Sequence, residues 1–167
     1  WLGLGDMPRQ AFVATTDADR AWVQGQLAAL PRPVIAIHAG AKWETKRWPA
    51  EKFAYVALRA VRACGGSVVV VGGSGDVALG ERIVQPITDA GFSAVNLAGR
   101  TSLKQLAELL RSISLLVSND SGPLHLAAEL GTPVVGVYTC TSPEISGPAG
   151  VGHELVATQV DCAAGYH

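Results

Sequence analysis

The stretch Ser118-Asn119-Asp120-Ser121-Gly122-Pro123, with His125 following, joins an apolar run to a short helical pattern and is the part of the chain best suited to chemistry. Asn, Asp and Ser before an apolar helical run cap a helix, and Pro123 suits its first turn. A helix starting there presents unbonded backbone N–H groups and the positive end of its dipole beside small residues, so phosphate is the first anion to expect. Three other loops offer complementary groups: Lys46 is a cation able to lie against a diphosphate, residues 72–75 (Gly-Gly-Ser-Gly) offer backbone at Gly72 and Gly73, and Ala98-Gly99-Arg100-Thr101 offers more backbone. None of these is sufficient alone.

Several familiar sites are absent from the sequence. No G-x-G-x-x-G follows the first strand, no lysine follows the glycines in the Walker manner, and no Gly-x-Ser-x-Gly elbow occurs. Asn119-Asp120-Ser121 is not an Asp-x-Asp metal clamp, so a diphosphate here would be neutralised by Lys46, His125 and the helix N-terminus rather than by a metal. Plainer roles stand beside each of these. Asp120 and Ser121 could only be caps, His125 a buried histidine satisfied by a carbonyl, Lys46 and Arg47 solvated loop charges, and the glycines a tight turn; Trp43 and Trp48 could simply cover the first helix of the domain.

The elements that must position these residues are legible as an alternation. After a Gly- and Pro-punctuated start (residues 1–9), Asp17 caps a predicted helix over residues 18–30, which Pro31 stops. Short apolar runs at residues 34–37, 68–71, 94–97, 115–117 and 134–137 read as buried strands. Helices are predicted between them, over residues 49–62, 77–84 (ended or kinked at Pro86), 102–111 and 124–130, the third opened by a Ser102/Gln105 capping box and the last ended at Gly131. Five strands alternating with four helices imply a parallel α/β sheet of the Rossmann-like class, with ligands at the carboxyl ends of the strands. Residues 1–33 then form a linker and lead-in helix, residues 34–148 the Rossmann-like domain, and residues 149–167 an irregular tail. A strand near residues 155–157 is possible in that tail, which is expected to pack outside the sheet.

Composition fits a globular protein: 49% of the 167 residues are hydrophobic and the net charge is −1. Without a Lys/Arg-rich run there is little electrostatic footprint for nucleic acid, and small molecules are the expected partners. Cys64, Cys140 and Cys162 are odd in number and widely spaced, which argues against a disulfide framework or zinc site and suits a reducing cytoplasm. No transmembrane segment is expected, since no apolar run approaches the roughly 20 residues that cross a bilayer. The chain begins at Trp1 and is expected to be a piece of a longer protein.

The segments His38-Ala-Gly-Ala41, Lys46-Arg-Trp-Pro49, Leu97-Ala-Gly-Arg-Thr-Ser-Leu103, Ser118-Asn-Asp-Ser-Gly-Pro-Leu-His-Leu-Ala-Ala128, Gly131-Thr-Pro133 and Tyr138-Thr-Cys-Thr-Ser-Pro143, in this order and spacing, resemble the ADP-heptose:lipopolysaccharide heptosyltransferases of glycosyltransferase family 9. The most specific part is Asp120-Ser121-Gly122 with His125 three residues past the glycine, together with Lys46-x-Trp48-Pro49 upstream. The resemblance implies the C-terminal, donor-binding half of a two-domain GT-B enzyme. Carried onto this chain, it implies that Lys46 meets the donor's phosphate or sugar, that backbone at Ser121 and Gly122 holds the diphosphate, that Asp120 engages the heptose and that His125 lies near the phosphates. Residues 97–103 would cradle the adenine, largely through backbone at Leu97, Gly99 and Thr101, and Asp76 or Glu81 would stand near the ribose. Some members place two threonines near Gly40 and Ala41; here any such contact must come from backbone or from Thr45.

The resemblance further implies a metal-independent, inverting transfer that needs no cofactor, with ADP-heptose as donor substrate and the lipopolysaccharide core as acceptor. Lys46 and His125 would stabilise the leaving group. The general base belongs to the family's other domain, so no catalytic base is expected in this chain. A cytoplasmic location is implied, peripheral to the inner membrane for the full-length enzyme. Two alternatives remain at this point: another GT-B transferase or sugar-nucleotide epimerase using a different nucleotide, and a non-catalytic nucleotide-sugar-binding domain.

Overall fold

The computed structural model describes residues 13–158; the lead-in over residues 1–9 and Cys162 lie outside them. In order, the elements are α1 (Asp17–Leu27), β1 (Val34–His38), α2 (Ala50–Cys64), β2 (Ser67–Val70), α3 (Val77–Asp89), β3 (Ser93–Asn96), α4 (Leu103–Ser112), β4 (Leu115–Asn119), α5 (Gly122–Glu129), β5 (Val134–Tyr138), the single turn α6 (Pro143–Ser146) and β6 (Glu154–Ala157). All strand pairings are parallel, in the order β3-β2-β1-β4-β5-β6. The chain winds outward from β1 in one direction and then returns to build outward from β4 in the other. The strand order therefore reverses between β1 and β4, and the crevice at their carboxyl ends is where such a sheet accepts a ligand.

The strands read as continuous apolar runs because both faces of the sheet are covered. Val34, Ala36, Val69 and Leu116 point to one face and pack with Val23 of α1, Leu109 and Leu110 of α4, and Leu124 of α5. Ile35, Ile37, Val68, Val70 and Val117 point to the other, against Phe53, Ala57 and Val61 of α2 and Ile83 and Ile87 of α3. Alternate residues thus serve opposite cores, and no position within β1 is free to be polar until His38 at its end.

Three expectations need correction. The tail does not pack outside the sheet: Glu154–Ala157 extends it by pairing parallel with β5, so six strands stand where five were expected. All four β6 residues are exposed, so no inward pattern marked the strand. The first helix is capped by Thr16, not Asp17: the Thr16 hydroxyl accepts from the Asp19 N–H at 3.2 Å, and the Asp19 carboxylate accepts from the Thr16 N–H at 2.9 Å. That helix ends at Leu27, short of the expected residue 30. α3 does not end at Pro86 but runs through it to Asp89. Pro86 lies on the exposed side of the helix, where its ring meets no core residue and the loss of one backbone N–H is tolerated.

The Ser102/Gln105 box forms as expected, Gln105 N–H reaching the Ser102 hydroxyl at 3.2 Å and the Gln105 side-chain oxygen accepting from Ser102 N–H at 2.9 Å. Ser102→Ala is expected to lower stability by about 1 kcal/mol in urea denaturation, with little effect on the strands' order.

Candidate functional site

The turn between β4 and α5 places Asp120 where the strand order reverses. Asp120 is buried, at 6% exposure, yet carries a charge that must be answered. Lys46 answers it: its ammonium stands 2.7 Å from Asp120 Oδ2, although 74 residues separate the two in sequence. The Thr141 hydroxyl donates to the same oxygen at 2.8 Å and Ser146 at 3.4 Å, while His125 Nε2 lies 3.5 Å from Oδ1. Burial pushes the Asp120 carboxyl upward, but the bonds from Lys46, Thr141 and His125 outweigh it and hold the group below the usual carboxylate range. Tyr138 completes this wall. Its hydroxyl reaches the Ser146 carbonyl at 3.3 Å, and burial together with the Asp120 charge pushes it up to about 12, so it remains a neutral donor.

Lys46 sits on a short 3₁₀ turn (Glu44–Lys46) in the loop between β1 and α2. Asn119, fully buried at the end of β4, ties both ends of that loop. Its Oδ1 accepts from Trp48 N–H at 3.0 Å and its Nδ2 donates to the Ala39 carbonyl at 2.8 Å. The Thr139 hydroxyl holds the loop from the β5 side by donating to the Thr45 carbonyl at 2.7 Å, so Thr45 is engaged through its backbone. Trp48 packs edge-on against Phe53, with ring centroids 5.0 Å apart, and covers α2; Trp43, in contrast, is 57% exposed.

At the head of α5 the simple capping role fails. Ser121 occupies the N-cap position, but its hydroxyl makes no capping bond, and the Asp120 carboxylate bonds the side chains of Lys46, Thr141 and Ser146. Ser121 Oγ instead turns inward, 3.1 Å from His38 Nδ1 and 3.0 Å from the Asn119 carbonyl. Ser118 Oγ lies 3.3 Å from the same histidine nitrogen and donates to the Asn119 carbonyl at 2.8 Å. His125 is not a buried, carbonyl-satisfied histidine: its side chain is 41% exposed and faces the carboxylate.

The remaining predicted residues line the β2 and β3 side of the crevice. After β2 comes not a glycine turn but one 3₁₀ turn, Ser74–Asp76, and neither Gly72 nor Gly73 has a positive φ. Gly72 and Gly40 let Asp76 come close, since a Cβ on either would stand within 2.8 Å of its carboxylate and the side chain would have to move. The Gly73 N–H already bonds Asp76 at 2.9 Å and the Gly72 carbonyl already accepts from Gly99 N–H at 2.9 Å. Gly99 turns the chain with φ +73°, exposed at the rim, and Thr101 is half-buried beside it. Leu97 does not face the rim; it is fully buried, and its N–H and carbonyl bond Val70 and Arg100. Of the two acidic candidates, Asp76 stands at the crevice between Gly40 and Gly72, whereas Glu81 accepts from the Asn96 amide at 2.8 Å.

Sequence reasoning gave Ser118 and Asn119 no role beyond helix capping and assigned none to His38, Thr141 or Ser146. A signal existed for the first three: polar residues ending strands that are otherwise wholly apolar must be buried, and buried polar groups need partners. Thr141 and Ser146 belong to a stretch without periodicity, and nothing marked them.

His38 is 6% exposed. Burial, opposed by the Asp76 charge and reinforced by Arg47, lowers its pKa from 6.5 to about 4. In the unfolded chain the imidazole takes up a proton as pH falls through 6.5, whereas the folded chain resists it until about pH 4. Stability is therefore lost between those values as pH falls, about 2 kcal/mol between pH 7 and pH 5. Urea denaturation across that range should follow this slope, and His38→Asn should flatten it.

Among the described residues, no group of three or more His, Cys, Asp and Glu is arranged to hold a metal ion. The arrangement offers one lysine, one partly exposed histidine and the positive end of a helix around a buried carboxylate. It can grip an anion at the helix end and a polyhydroxyl group at the carboxylate.

A 119-residue stretch, 70% of the chain, is 34% identical to lipooligosaccharide heptosyltransferase 2 of Haemophilus influenzae and covers 34% of that protein. A 138-residue stretch, 81% of the chain, is 34% identical to lipopolysaccharide heptosyltransferase 2 of Escherichia coli and covers 38% of it. The chain thus spans little more than a third of the length of these relatives. The solved structure of E. coli ADP-heptose lps heptosyltransferase II superposes with a TM-score of 0.76 at 29% identity, over 88% of this chain and 44% of that one. A family 9 glycosyl transferase from Veillonella parvula gives 0.79 at 27% identity, over 89% and 43%. The sequence profile of glycosyltransferase family 9 (heptosyltransferase) matches residues 5–166. With nearly the whole chain inside that profile and the parallel α/β fold shared with its solved relatives, the chain belongs to glycosyltransferase family 9, the heptosyltransferases.

Proposed function

We propose that this chain is the donor-binding half of an inverting heptosyltransferase, taking ADP-heptose as donor for transfer to the lipopolysaccharide core. The observation that carries the reading is the Lys46, Asp120 and His125 cluster beside the head of α5, at the point where the strand order reverses. The diphosphate lies against backbone N–H groups at Ser121 and Gly122, with the Lys46 ammonium beside it. Asp120 accepts hydroxyls of the heptose, and the adenosine extends toward Gly99, Thr101 and Asp76.

In the transfer, an acceptor hydroxyl attacks the anomeric carbon from the face opposite the diphosphate. The carbon–oxygen bond to the phosphate breaks, its electron pair leaves with ADP, and the hydroxyl proton passes to a base on the facing half of the enzyme. This chain contributes the leaving-group side: Lys46 and the dipole of α5 stabilise the charge that develops on the departing phosphate, and His125 stands near it. Cationic side chains and a helix end thus take the part that a divalent metal plays elsewhere, and no cofactor is needed. No helix among the described residues is long and apolar enough to cross a membrane. Work at the inner membrane then depends on the lipid-borne acceptor, from the cytoplasmic side.

Calorimetric titration of the chain with ADP, with UDP as comparison, tests this reading. Saturable binding of ADP that UDP does not match is the expected result. Preference for UDP would reassign the donor to another nucleotide sugar, and binding of neither would overturn the donor-site reading.

A further inference from the structure

A serine at an N-cap ordinarily turns its hydroxyl outward and accepts from the backbone N–H two or three residues on. At the head of α5 the second helical position is Pro123, which has no N–H, so the natural target for Ser121 is the N–H of Leu124. That bond is not made. The Leu124 N–H bonds the Ser121 carbonyl at 3.1 Å, and the Ser121 hydroxyl is drawn into the fold.

Three groups draw it in, one of them the Ser118 hydroxyl, whose oxygen lies 3.1 Å from Ser121 Oγ. The Asn119 carbonyl accepts from the hydroxyls of Ser118 and Ser121, at 2.8 and 3.0 Å. With both hydrogens directed there, the two oxygens turn lone pairs toward His38 Nδ1, at 3.3 and 3.1 Å. A neutral imidazole that carries its hydrogen on Nδ1 satisfies both contacts and bridges the two serines. His38 ends β1 and pairs in register with Ser118 of β4, so the bridge spans the seam at which the strand order reverses.

We infer that His38 is a positioning residue: by holding the Ser121 hydroxyl inward it keeps that oxygen out of the positive end of α5 and leaves the place open to the donor's diphosphate. The inference rests on reading the head of α5 as the diphosphate seat. Without the imidazole, Ser121 Oγ keeps only the Asn119 carbonyl and the Ser118 hydroxyl as inward partners, and swinging out to the Leu124 N–H becomes the competing arrangement. A neutral oxygen then occupies the positive end of the helix, and an incoming phosphate must displace it. His38 touches no part of the donor in this account; it acts through the serine.

A double-mutant cycle tests this with two readouts. In calorimetry, His38→Ala is expected to weaken ADP binding about tenfold, whereas the same change made in a Ser121→Ala background should alter affinity less than about twofold, because no hydroxyl remains to swing out. His38→Asn, whose side-chain amide can place a donor close to Nδ1, should stay within about threefold of the parent chain. The second readout needs no nucleotide. The amide of Leu124, followed by nuclear magnetic resonance, should shift and exchange with solvent more than about fivefold more slowly in His38→Ala as it gains the cap, and should revert when Ser121→Ala is added.

An unchanged Leu124 amide in His38→Ala overturns the inference, and so does an equal loss of ADP affinity in both serine backgrounds. If the parent chain fails to bind ADP while the amide responds as expected, the inward lock stands and the donor-site reading falls.

Discussion

A chain carrying Lys46→Ala should bind ADP about 100-fold more weakly than the parent and lose acid tolerance at the same time. The two effects share one cause. Lys46 is the cation within 2.7 Å of a carboxylate that is only 6% exposed. Its removal deletes an attraction for the diphosphate and uncovers a buried negative charge that repels it. Asp120 keeps the hydroxyls of Thr141 and Ser146, but hydroxyls stabilise a carboxylate without neutralising it.

In the parent chain the Asp120 pKa lies below its ordinary value of 3.8. Its contribution to stability is therefore present above that value and lost only as pH falls through the lower, folded one. In Lys46→Ala, burial becomes the dominant influence and raises the group instead, so the acid unfolding midpoint should move to higher pH. Calorimetry with ADP measures the first effect and pH-dependent circular dichroism the second. Unchanged ADP affinity would remove Lys46 from the donor site.

Asn119→Ala should destabilise the fold by about 3 kcal/mol, a large loss for a side chain of this size. Asn119 is fully buried, and its two bonds satisfy the Trp48 N–H and the Ala39 carbonyl, the two ends of the loop that carries Lys46. Truncation leaves both backbone groups without partners where water does not reach. Asn119→Asp is the sharper test. The carboxylate still accepts from Trp48 but faces the Ala39 carbonyl, 2.8 Å from the present amide nitrogen, with no hydrogen to offer. Urea denaturation should rank the aspartate no better than the alanine; recovery of parental stability by the aspartate would show that the Trp48 bond alone holds the loop.

Which features could be foreseen follows from where their causes lie. Residues 68–71 announced a strand because valines on both faces have covering helices, and the Ser102/Gln105 box was readable because all its partners lie within one turn. β6 was legible only as a possible strand near residues 155–157, and its place in the sheet was missed, because an exposed edge strand is held by main-chain bonds and imposes no side-chain pattern. The choice between Thr16 and Asp17 as cap turned on which of them Asp19 answers, a matter of one residue. At the site, Lys46, Asp120 and His125 could be named from residue type and spacing. That the first two form an ion pair depends on bringing β1 and β4 side by side, which strand count alone does not specify. Ser121 could be read as a cap because the grammar of helix starts is local. What turns its hydroxyl away is His38, 83 residues distant.

The seam between β1 and β4 also governs when the site can exist during folding. β1 meets β2 with Val34 opposite Ser67, a short closure, whereas it meets β4 with Ile35 opposite Leu115. Closing the longer loop costs only about 0.8 kcal/mol more in chain entropy, but it is the less local pairing and so among the slower to be found. β1, β2 and β3 can associate before β4 is available, and such an intermediate would carry half of each core. It would carry only one half of the site, because Lys46 and His38 hang from one side of the seam and Asp120, Asn119 and Ser121 from the other. Competence to bind is thus a reporter of completed topology rather than of local order, and a ligand that favours the closed seam draws the whole chain toward its native state.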